Sequence, residues 1–286
     1  MPRRWLPIMC AAVLVAGCGS STSSDQAASR DTPTPSASPA IHSADLHNLP
    51  QAAEPSGSPP SSQSAGRDAF LRAVFDDAEA LWHQEFQGAG LTYRPARLTI
   101  FSQEVHTACG TQPAQVGPFY CPPSFGVYLD PTFFAALSHR VGVHLGDFAQ
   151  AYVVAHEVGH HVQALLGISH QKAVADRQDP VNANARSVRF ELQADCLAGV
   201  WIHSAYHRGE VTDADLQEAL DAATVVGDDF LQNAGDRQRP PEEWTHGSSA
   251  QRRRWLRRGS DEGGPTPATR SGNERTDGLI AVGSAS

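Results

Sequence analysis

His156, Glu157 and His160 combine the spacing of a metal site with a candidate base, in an apolar stretch predicted to be helical. Because residues four apart lie on one face of a helix, the two histidines can bind one metal ion. Glu157 would lie beside that ion and can accept a proton from metal-bound water, whose pKa zinc lowers. The pattern predicts a zinc-dependent hydrolase, with a pair of hydrogen-bonded core histidines as the alternative.

Catalytic zinc needs a third protein ligand, and a second predicted helix offers one. Glu191 and Asp195 are four residues apart, so both carboxylates lie on one helical face. We expect Glu191 to complete a His₂Glu zinc site, and Asp195 to accept the free ring N–H of a ligand histidine and so determine its tautomer. A solvent-exposed acidic face is the alternative, and the apolar neighbours argue against it. These neighbours are Phe190, Leu192, Ala194, Leu197 and Val200.

A hydrolase of this kind also needs a donor to the oxyanion of the tetrahedral intermediate. His246 lies in a turn-like Thr-His-Gly-Ser stretch before the last predicted helix, where a side chain can lean over a cleft. We predict His246 as a catalytic residue in this role, with Tyr128 and Tyr152 as competing donors. Capping or packing of the last helix is the alternative. His161 is expected either to contact a metal ligand or to pack, and Gln163 is expected to pack beside the site.

The elements that must hold these residues are mostly helices. Apolar periodicity predicts five of them. They cover about 67–87, 147–166, 182–207, 212–233 and 248–258. Asp130-Pro131 predicts a further helix start, and short β-rich runs at 98–101 and 127–129 predict a small sheet. The fold class is therefore α+β, mostly α, with a small N-terminal sheet and a helical C-terminal half. Five arginines on the last helix are expected to complement its dipole, with contact to anionic lipid headgroups as the alternative.

The N-terminus has the features of an export signal. Arg3 and Arg4 precede an apolar run at 6–16 that is too short to span a bilayer. The run is followed by Gly17-Cys18, and this Val-Ala-Gly-Cys sequence resembles the lipobox of bacterial lipoproteins. The resemblance implies that 1–17 is a signal peptide and that a lipid on Cys18 tethers the protein to the bacterial cell membrane, outside the cytoplasm. An ordinary secretory signal with an incidental Cys is the alternative.

Composition divides the remaining chain into one domain and two tails. Residues 18–66 are rich in Ser, Pro and Ala and contain no Phe, Tyr or Trp, and 259–286 are similarly poor in large apolar residues. Neither can bury enough apolar surface to offset its chain entropy, so both are predicted to be disordered. Residues 67–258 suffice for one domain with its own core. The net charge of −9 argues against a nucleic-acid partner.

Cys109 and Cys121 bracket a loop that contains Gly and Pro. In an oxidising compartment we expect a disulfide that closes this loop and stabilises the fold by roughly 3 kcal/mol. A zinc site is less favoured, because these two cysteines lack the tight spacing of structural zinc ligands. Cys196 is expected to be a buried thiol that behaves as a small apolar residue.

Several motifs together resemble the bacterial family of neutral zinc metallopeptidases. They are GPFYCP at 117–122, VYLD at 127–130, DFAQAY at 147–152, HEVGHHVQ at 156–163, ELQADCLAG at 191–199 and a THGS signature that runs from 245 to 252. The resemblance covers nearly all of 67–258 and implies a zincin-like, gluzincin-type domain that binds zinc and hydrolyses peptides. One departure is that members often begin with a membrane-spanning segment, whereas this chain has the lipobox and a long linker.

The sequence therefore predicts a lipid-anchored zinc endopeptidase that acts on a peptide or protein substrate. Zinc is held by His156, His160 and Glu191, while Glu157 activates water and later protonates the leaving amine. The strand at 127–129 is expected to pair with an extended substrate. The alternative is a zinc-containing scaffold or chaperone-like lipoprotein without catalysis. Glu157 argues against it, because a purely structural zinc site is usually closed by a fourth protein ligand. A hydrolase that is not a peptidase also stays open.

Overall fold

The computed structural model describes residues 66–233 and 239–263. The predicted signal peptide, Cys18, the linker and most of the predicted C-terminal tail lie outside these residues. Within the described ranges, no helix is both long enough and apolar enough to span a membrane.

The described residues form eight α-helices and five short strands, so the fold is α+β and mostly helical, as predicted. The helices are α1 (Arg67–Gly88), α2 (Thr132–Val141), α3 (Asp147–Leu165), α4 (Ile168–Gln178), α5 (Ala183–His207), α6 (Asp213–Val225), α7 (Asp228–Asn233) and α8 (Ser249–Glu262). The strands are β1 (Arg97–Ile100), β2 (Glu104–Thr107), β3 (Gly110–Pro113), β4 (Phe119–Cys121) and β5 (Gly126–Leu129). The predicted β-rich runs correspond to β1 and β5.

Strand β5 is the central strand of a three-stranded sheet with the order β1-β5-β4. It pairs in parallel with β1 and antiparallel with β4, while β2 and β3 form a separate hairpin. The prediction that residues 127–129 pair with a substrate is therefore wrong, because both edges of β5 are already hydrogen-bonded. Strand β4 is an edge strand of this sheet. The predicted disulfide between Cys109 and Cys121 is present and ties the hairpin region to β4, and Cys196 is a buried free thiol, as predicted.

Helix α3 crosses the domain core and is apolar on nearly all sides, with buried residues along most of its length. Its N-terminus is capped from α6, because the backbone N–H of Ala149 donates to Oε1 of Glu218 at 2.9 Å. Gly159 allows α3 to approach α5 closely, since a Cβ there would lie 3.0 Å from the carbonyl oxygen of Ala194. This approach brings the polar residues in the middle of α3 next to those of α5.

Helix α8 packs against α5 with direct backbone contact. A Cβ on Gly199 would collide with the carbonyl oxygen of Leu256, and a Cβ on Gly259 would collide with that of Cys196. The helix continues to Glu262, four residues beyond its predicted end at 258. Its five arginines therefore lie in its middle, and one of them, Arg252, faces inward and is buried.

The predicted helix at 212–233 is interrupted after Val225 and continues as α7. Its start is as predicted, since Thr212 and Asp215 form a reciprocal capping box. The interruption occurs at Gly227, where a Cβ would collide with the backbone N of Ser249. Close packing against the start of α8 thus accounts for the break.

Candidate active site

The three predicted zinc ligands meet between α3 and α5. Nε2 of His156 lies 3.2 Å from Oε2 of Glu191, and Nε2 of His160 lies 3.5 Å from its Oε1. One ligating atom from each residue lies within 4.8 Å of the other two. His156 and His160 are four residues apart on α3, and Glu191 and Asp195 are four apart on α5. The close packing at Gly159 brings these two pairs together.

The hydrogen bonds around His156 determine its tautomer. Oδ1 of Asp195 accepts from the hydroxyl of Tyr152 at 2.6 Å and from Nη2 of Arg252 at 2.8 Å, and it lies 2.9 Å from Nδ1 of His156. Although burial acts to raise it, Arg252 and His156 hold the pKa of Asp195 below its ordinary value. Asp195 is thus an acceptor, so Nδ1 of His156 carries a proton and Nε2 is the ring nitrogen that can bind a metal beside Glu191.

Gln163 orients His160 through a hydrogen bond to its Nδ1. Its Nε2 donates to the carbonyl oxygen of Phe190 at 2.8 Å and to Oε1 of Gln193 at 2.9 Å. This orientation leaves its Oε1 as the acceptor for Nδ1 of His160, at 2.8 Å. Nε2 of His160 is therefore the ring nitrogen left to bind a metal. Gln163 was expected only to pack beside the site, and it is a fully buried hydrogen-bonding partner of a candidate ligand.

The donor set fits zinc. Two imidazole nitrogens and one carboxylate converge, which is a ligand set of catalytic zinc sites, and the tautomers of both histidines suit coordination. The three ligands and Glu157 also line a cleft of about 530 Å³, so one side of the site is open. Glu157 itself is 6% exposed. Burial raises its pKa, while His160 and His156 act in the opposite direction.

His246 lines the same cleft, opposite the active-site helix. Oδ2 of Asp228 accepts from three backbone N–H groups of the turn, including that of His246 at 2.7 Å. Oδ1 of Asp228 lies 3.3 Å from Nδ1 of the imidazole. This hydrogen bond raises the pKa of His246, whose side chain is 50% exposed. Nδ1 also lies 3.1 Å from Oγ1 of Thr245, so both ring contacts use Nδ1 and leave Nε2 available to the cleft.

The two competing tyrosines are poorly placed to donate to an oxyanion. Tyr152 lines the cleft, but its hydroxyl already donates to Asp195 and is buried. Tyr128 is not among the residues that line the cleft; its ring stacks on Phe119 and its hydroxyl lies 3.2 Å from Oγ of Ser124. Among the three candidates, His246 lines the cleft with a ring nitrogen, Nε2, that neither Asp228 nor Thr245 engages.

Arg252 is the functional residue that the sequence analysis assigned incorrectly, because it neither complements the helix dipole nor faces a membrane. It is 4% exposed and binds both oxygens of Asp195, with Nε 2.9 Å from Oδ2. The signal was the spacing of Arg252 with Trp255, Leu256 and Gly259, which places the arginine on the buried face of α8.

His161 is structural, as one of its predicted alternatives stated. Its Nε2 lies 2.7 Å from the carbonyl oxygen of Arg94 and its Nδ1 lies 2.9 Å from the hydroxyl of Tyr120. Burial lowers its pKa to about 4, so the ring is neutral near pH 7. Its Nε2–H therefore donates to Arg94, and its Nδ1 accepts from Tyr120. The contact holds β4 against the active-site helix.

Comparison with known proteins supports zinc as the metal of this site. The family described as "Putative neutral zinc metallopeptidase" matches residues 40–269 of the chain. In Escherichia coli (strain K12), "Uncharacterized protein YpfJ" is 43% identical over 197 residues, which cover 68% of each chain. In Mycobacterium tuberculosis, "Uncharacterized protein Rv2575" is 40% identical over 203 residues, which cover 68% of this chain and 67% of that protein. No solved structure matches the chain significantly.

Proposed function

The chain belongs to the neutral zinc metallopeptidase family, and we propose that it hydrolyses peptide bonds in a protein or peptide substrate. The observation that carries this proposal is the convergence of His156, His160 and Glu191 beside Glu157 at an open cleft. A zinc site that only stabilises a fold is usually closed by a fourth protein ligand, and here that side faces the cleft. The open side and the adjacent carboxylate support a catalyst over a scaffold.

Glu157 acts as the proton carrier in the proposed mechanism. His156, His160 and Glu191 would hold zinc, which would supply a Lewis acid for the water and the scissile carbonyl. Glu157 takes the proton of the attacking water and passes it to the leaving amine. Its burial favours proton uptake, because a buried carboxyl is more stable neutral than ionised.

His246 is the proposed donor to the carbonyl oxygen as that oxygen gains negative charge. Asp228 holds the imidazole through Nδ1 and favours its protonated form, so that Nε2–H can donate into the cleft. Asp228 is the first residue of α7, and its carboxylate also accepts hydrogen bonds from the backbone of the turn that contains His246. The same side chain therefore holds both the turn and the imidazole.

Strand β4 is the proposed binding edge for the substrate backbone. It is an edge strand of its sheet, and residues 116–120 lie along the wall of the cleft. An extended peptide can add to such an edge through main-chain hydrogen bonds. In this proposal β4 takes the role that the sequence analysis gave to residues 127–129.

The proposed site of action is outside the cytoplasm, with the domain tethered through a lipid on Cys18. The lipobox-like sequence supports this proposal, and so does the disulfide between Cys109 and Cys121, which is typical of oxidising compartments. Cys18→Ser should release the protein from the membrane fraction. Mass spectrometry of the mature N-terminus tests the lipid directly, and an unmodified Cys18 in the exported protein would contradict the proposal.

The direct test of the peptidase mechanism is Glu157→Gln, which preserves the side-chain shape and all three ligands. Zinc content should stay near one per chain while peptidase activity on an unfolded protein falls by roughly 10²–10⁴-fold. Wild-type protein treated with a chelator provides the zinc-free control. Undiminished activity in Glu157→Gln would refute the mechanism, and zinc-loaded wild-type protein without activity on any peptide would favour the scaffold.

His246→Ala tests the oxyanion donor. We expect kcat to fall by about 10²-fold or more, with KM, zinc content and thermal stability little changed. Since Asp228 keeps its hydrogen bonds to the backbone, the turn should retain its conformation. Loss of zinc or of folding would indicate a structural role, and wild-type kcat would remove His246 from the mechanism.

A further inference from the structure

The end of the cleft next to α4 is polar and offers donors that the proposed mechanism does not use. Lys172 and Ser169 lie three residues apart on α4, on one face of the helix, and Ser187 of α5 lines the same cleft. Lys172 is also the only lysine among the 22 Lys and Arg residues of the chain. A lysine presents a compact ammonium with three N–H donors.

Ion pairs connect the charged residues at this end of the cleft. Nζ of Lys172 lies 2.7 Å from Oδ2 of Asp176, whose Oδ1 accepts from Nε of Arg186, also at 2.7 Å. One carboxylate is therefore shared by two cations. Asp179, a second partner of Arg186, is 47% exposed at its side chain and is not among the residues that line the cleft. Lys172 lines the cleft together with Asp176, and its ammonium has further N–H donors beyond the one that Asp176 uses.

Ser169 provides an independent observation. Its Oγ is buried and has no hydrogen-bond partner among the described residues, although the residue lines the cleft. A buried hydroxyl without a partner costs about 1–3 kcal/mol, so such groups usually have one. A ligand oxygen that entered this end of the cleft could accept from Ser169 and from Lys172 together.

The floor of this region connects it to the zinc site. The ring of Phe190 stacks on His160, with centroids 5.0 Å apart and planes at 17°, and Nζ of Lys172 lies 5.8 Å from the Phe190 centroid. Nζ of Lys172 and the ring centroid of His160, a candidate zinc ligand, are therefore no farther apart than the sum of these two distances. About three residues of extended peptide cover such a distance at about 3.3 Å per residue. A group bound at Lys172 would belong to the same peptide that is cleaved.

We propose that Lys172, Ser169 and Ser187 form a carboxylate-binding subsite of the cleft. The substrate would place an acidic side chain, or its own terminal carboxylate, against Lys172. A carboxylate fits because it is anionic and accepts several hydrogen bonds, as this donor set requires. The inference rests on the proposed function for the peptide to be a substrate, whereas binding of the carboxylate requires no catalysis.

Lys172→Met tests the subsite, with Arg177→Met as the matched control. Both variants remove one positive charge from α4, but Arg177 is exposed and is not among the residues that line the cleft. The zinc-loaded full chain is assayed on amidated peptides in which one Glu, or one Gln in its place, moves a residue at a time along the sequence. A third set carries Gln and a free C-terminal carboxylate. The three sets separate a side-chain carboxylate from a terminal one.

Wild-type protein should prefer one carboxylate-bearing set over the neutral set in kcat/KM. Lys172→Met should reduce this preference by roughly 10- to 100-fold, as expected for the loss of a charge-assisted hydrogen bond, and Arg177→Met should retain it. An equal preference in Lys172→Met and wild type, or an equal loss in both variants, would overturn the subsite. Fluorescence anisotropy with the same labelled peptides provides a readout without catalysis. Selective binding without cleavage would contradict the proposed function and support the subsite.

Discussion

Replacement of Arg252 by Met should weaken zinc binding as well as folding, because the guanidinium holds the carboxylate that orients His156. The side chain of Asp195 is 0% exposed, and Arg252 donates to both of its oxygens, at 2.9 and 2.8 Å. Methionine fills much of the same volume but donates no hydrogen bond. Asp195 would then keep its contacts with Tyr152 and His156 and lose the only arginine or lysine that binds it among the described residues.

The size of both effects can be worked out from these contacts. Removing one partner of a buried ion pair lowers the free energy of unfolding by about 3–5 kcal/mol. Two donors remain on Asp195, so we expect the lower end, about 3 kcal/mol, in the free energy of unfolding of the zinc-free protein. Loss of an outer partner of a metal ligand typically lowers metal affinity by about 10–100-fold, which is about 1.4–2.7 kcal/mol. Arg252→Lys retains the charge but not the planar guanidinium that binds both oxygens of Asp195. Its zinc affinity and its stability should therefore lie between those of wild type and Arg252→Met.

Zinc affinity is measured by competition with a chromophoric chelator, and stability by denaturant unfolding of the zinc-free protein. Leu256→Ala is the matched control, because Leu256 is fully buried on α8 and makes no hydrogen bond to Asp195 through its side chain. It should cost about 2–5 kcal/mol of stability through the cavity it leaves, and retain zinc affinity close to wild type. Wild-type zinc affinity in Arg252→Met, or an equal loss in Leu256→Ala, would refute the reasoning.

Three further predictions concern other parts of the domain. Replacing Cys109 and Cys121 by Ser should lower the free energy of unfolding by about 3 kcal/mol, and a reductant should have this effect on wild type alone; equal stability with and without the disulfide would contradict it. Burial raises the pKa of Glu85 from 4.5 to about 7. The contribution of Glu85 to the free energy of unfolding is therefore fully present below pH 4.5 and is lost as the pH rises through 7. Glu85→Gln should therefore raise the free energy of unfolding by about 2–3 kcal/mol at pH 8 and by little at pH 4.5, and the same gain at both pH values would refute this cause. A chelator should lower the Tm of wild type, and His156→Ala, which lacks a ligand, should show little of this shift; equal shifts would exclude His156 as a ligand.

The long helices could be predicted because their signal is local. Helix α1 was predicted at 67–87 and covers Arg67–Gly88, and α3 and α5 agree with their predicted bounds within one residue. Their apolar residues recur every three to four positions, so the buried face can be identified from neighbouring residues. The pairs His156/His160 and Glu191/Asp195 could be found for the same reason, since each pair lies within one helical turn.

The features that were missed depend on contacts between distant parts of the chain. Gly227 interrupts a helical pattern because Ser249 packs against it, and no neighbour of Gly227 in the sequence indicates this. The partners of β4 and β5 follow from strand pairing across loops, which the short β-rich runs do not specify. Sequence periodicity therefore predicted which residues form β5 but not whether that strand lies at an edge.

In the candidate site too, local patterns could be predicted and contacts between distant parts of the chain could not. Residues that would bind zinc or carry protons were recognised from spacing within single helices, whereas two of the groups that orient them come from elements far along the chain. Arg252 reaches Asp195 only because Gly199 and Gly259 let α8 touch the backbone of α5. Asp228 reaches His246 only because the helical pattern breaks before α7. The contacts that bring these orienting groups to the site thus occur at glycines whose close approach to another element periodicity within one helix does not predict, so substitutions at Gly199, Gly227 and Gly259 should impair the site without touching any of its residues.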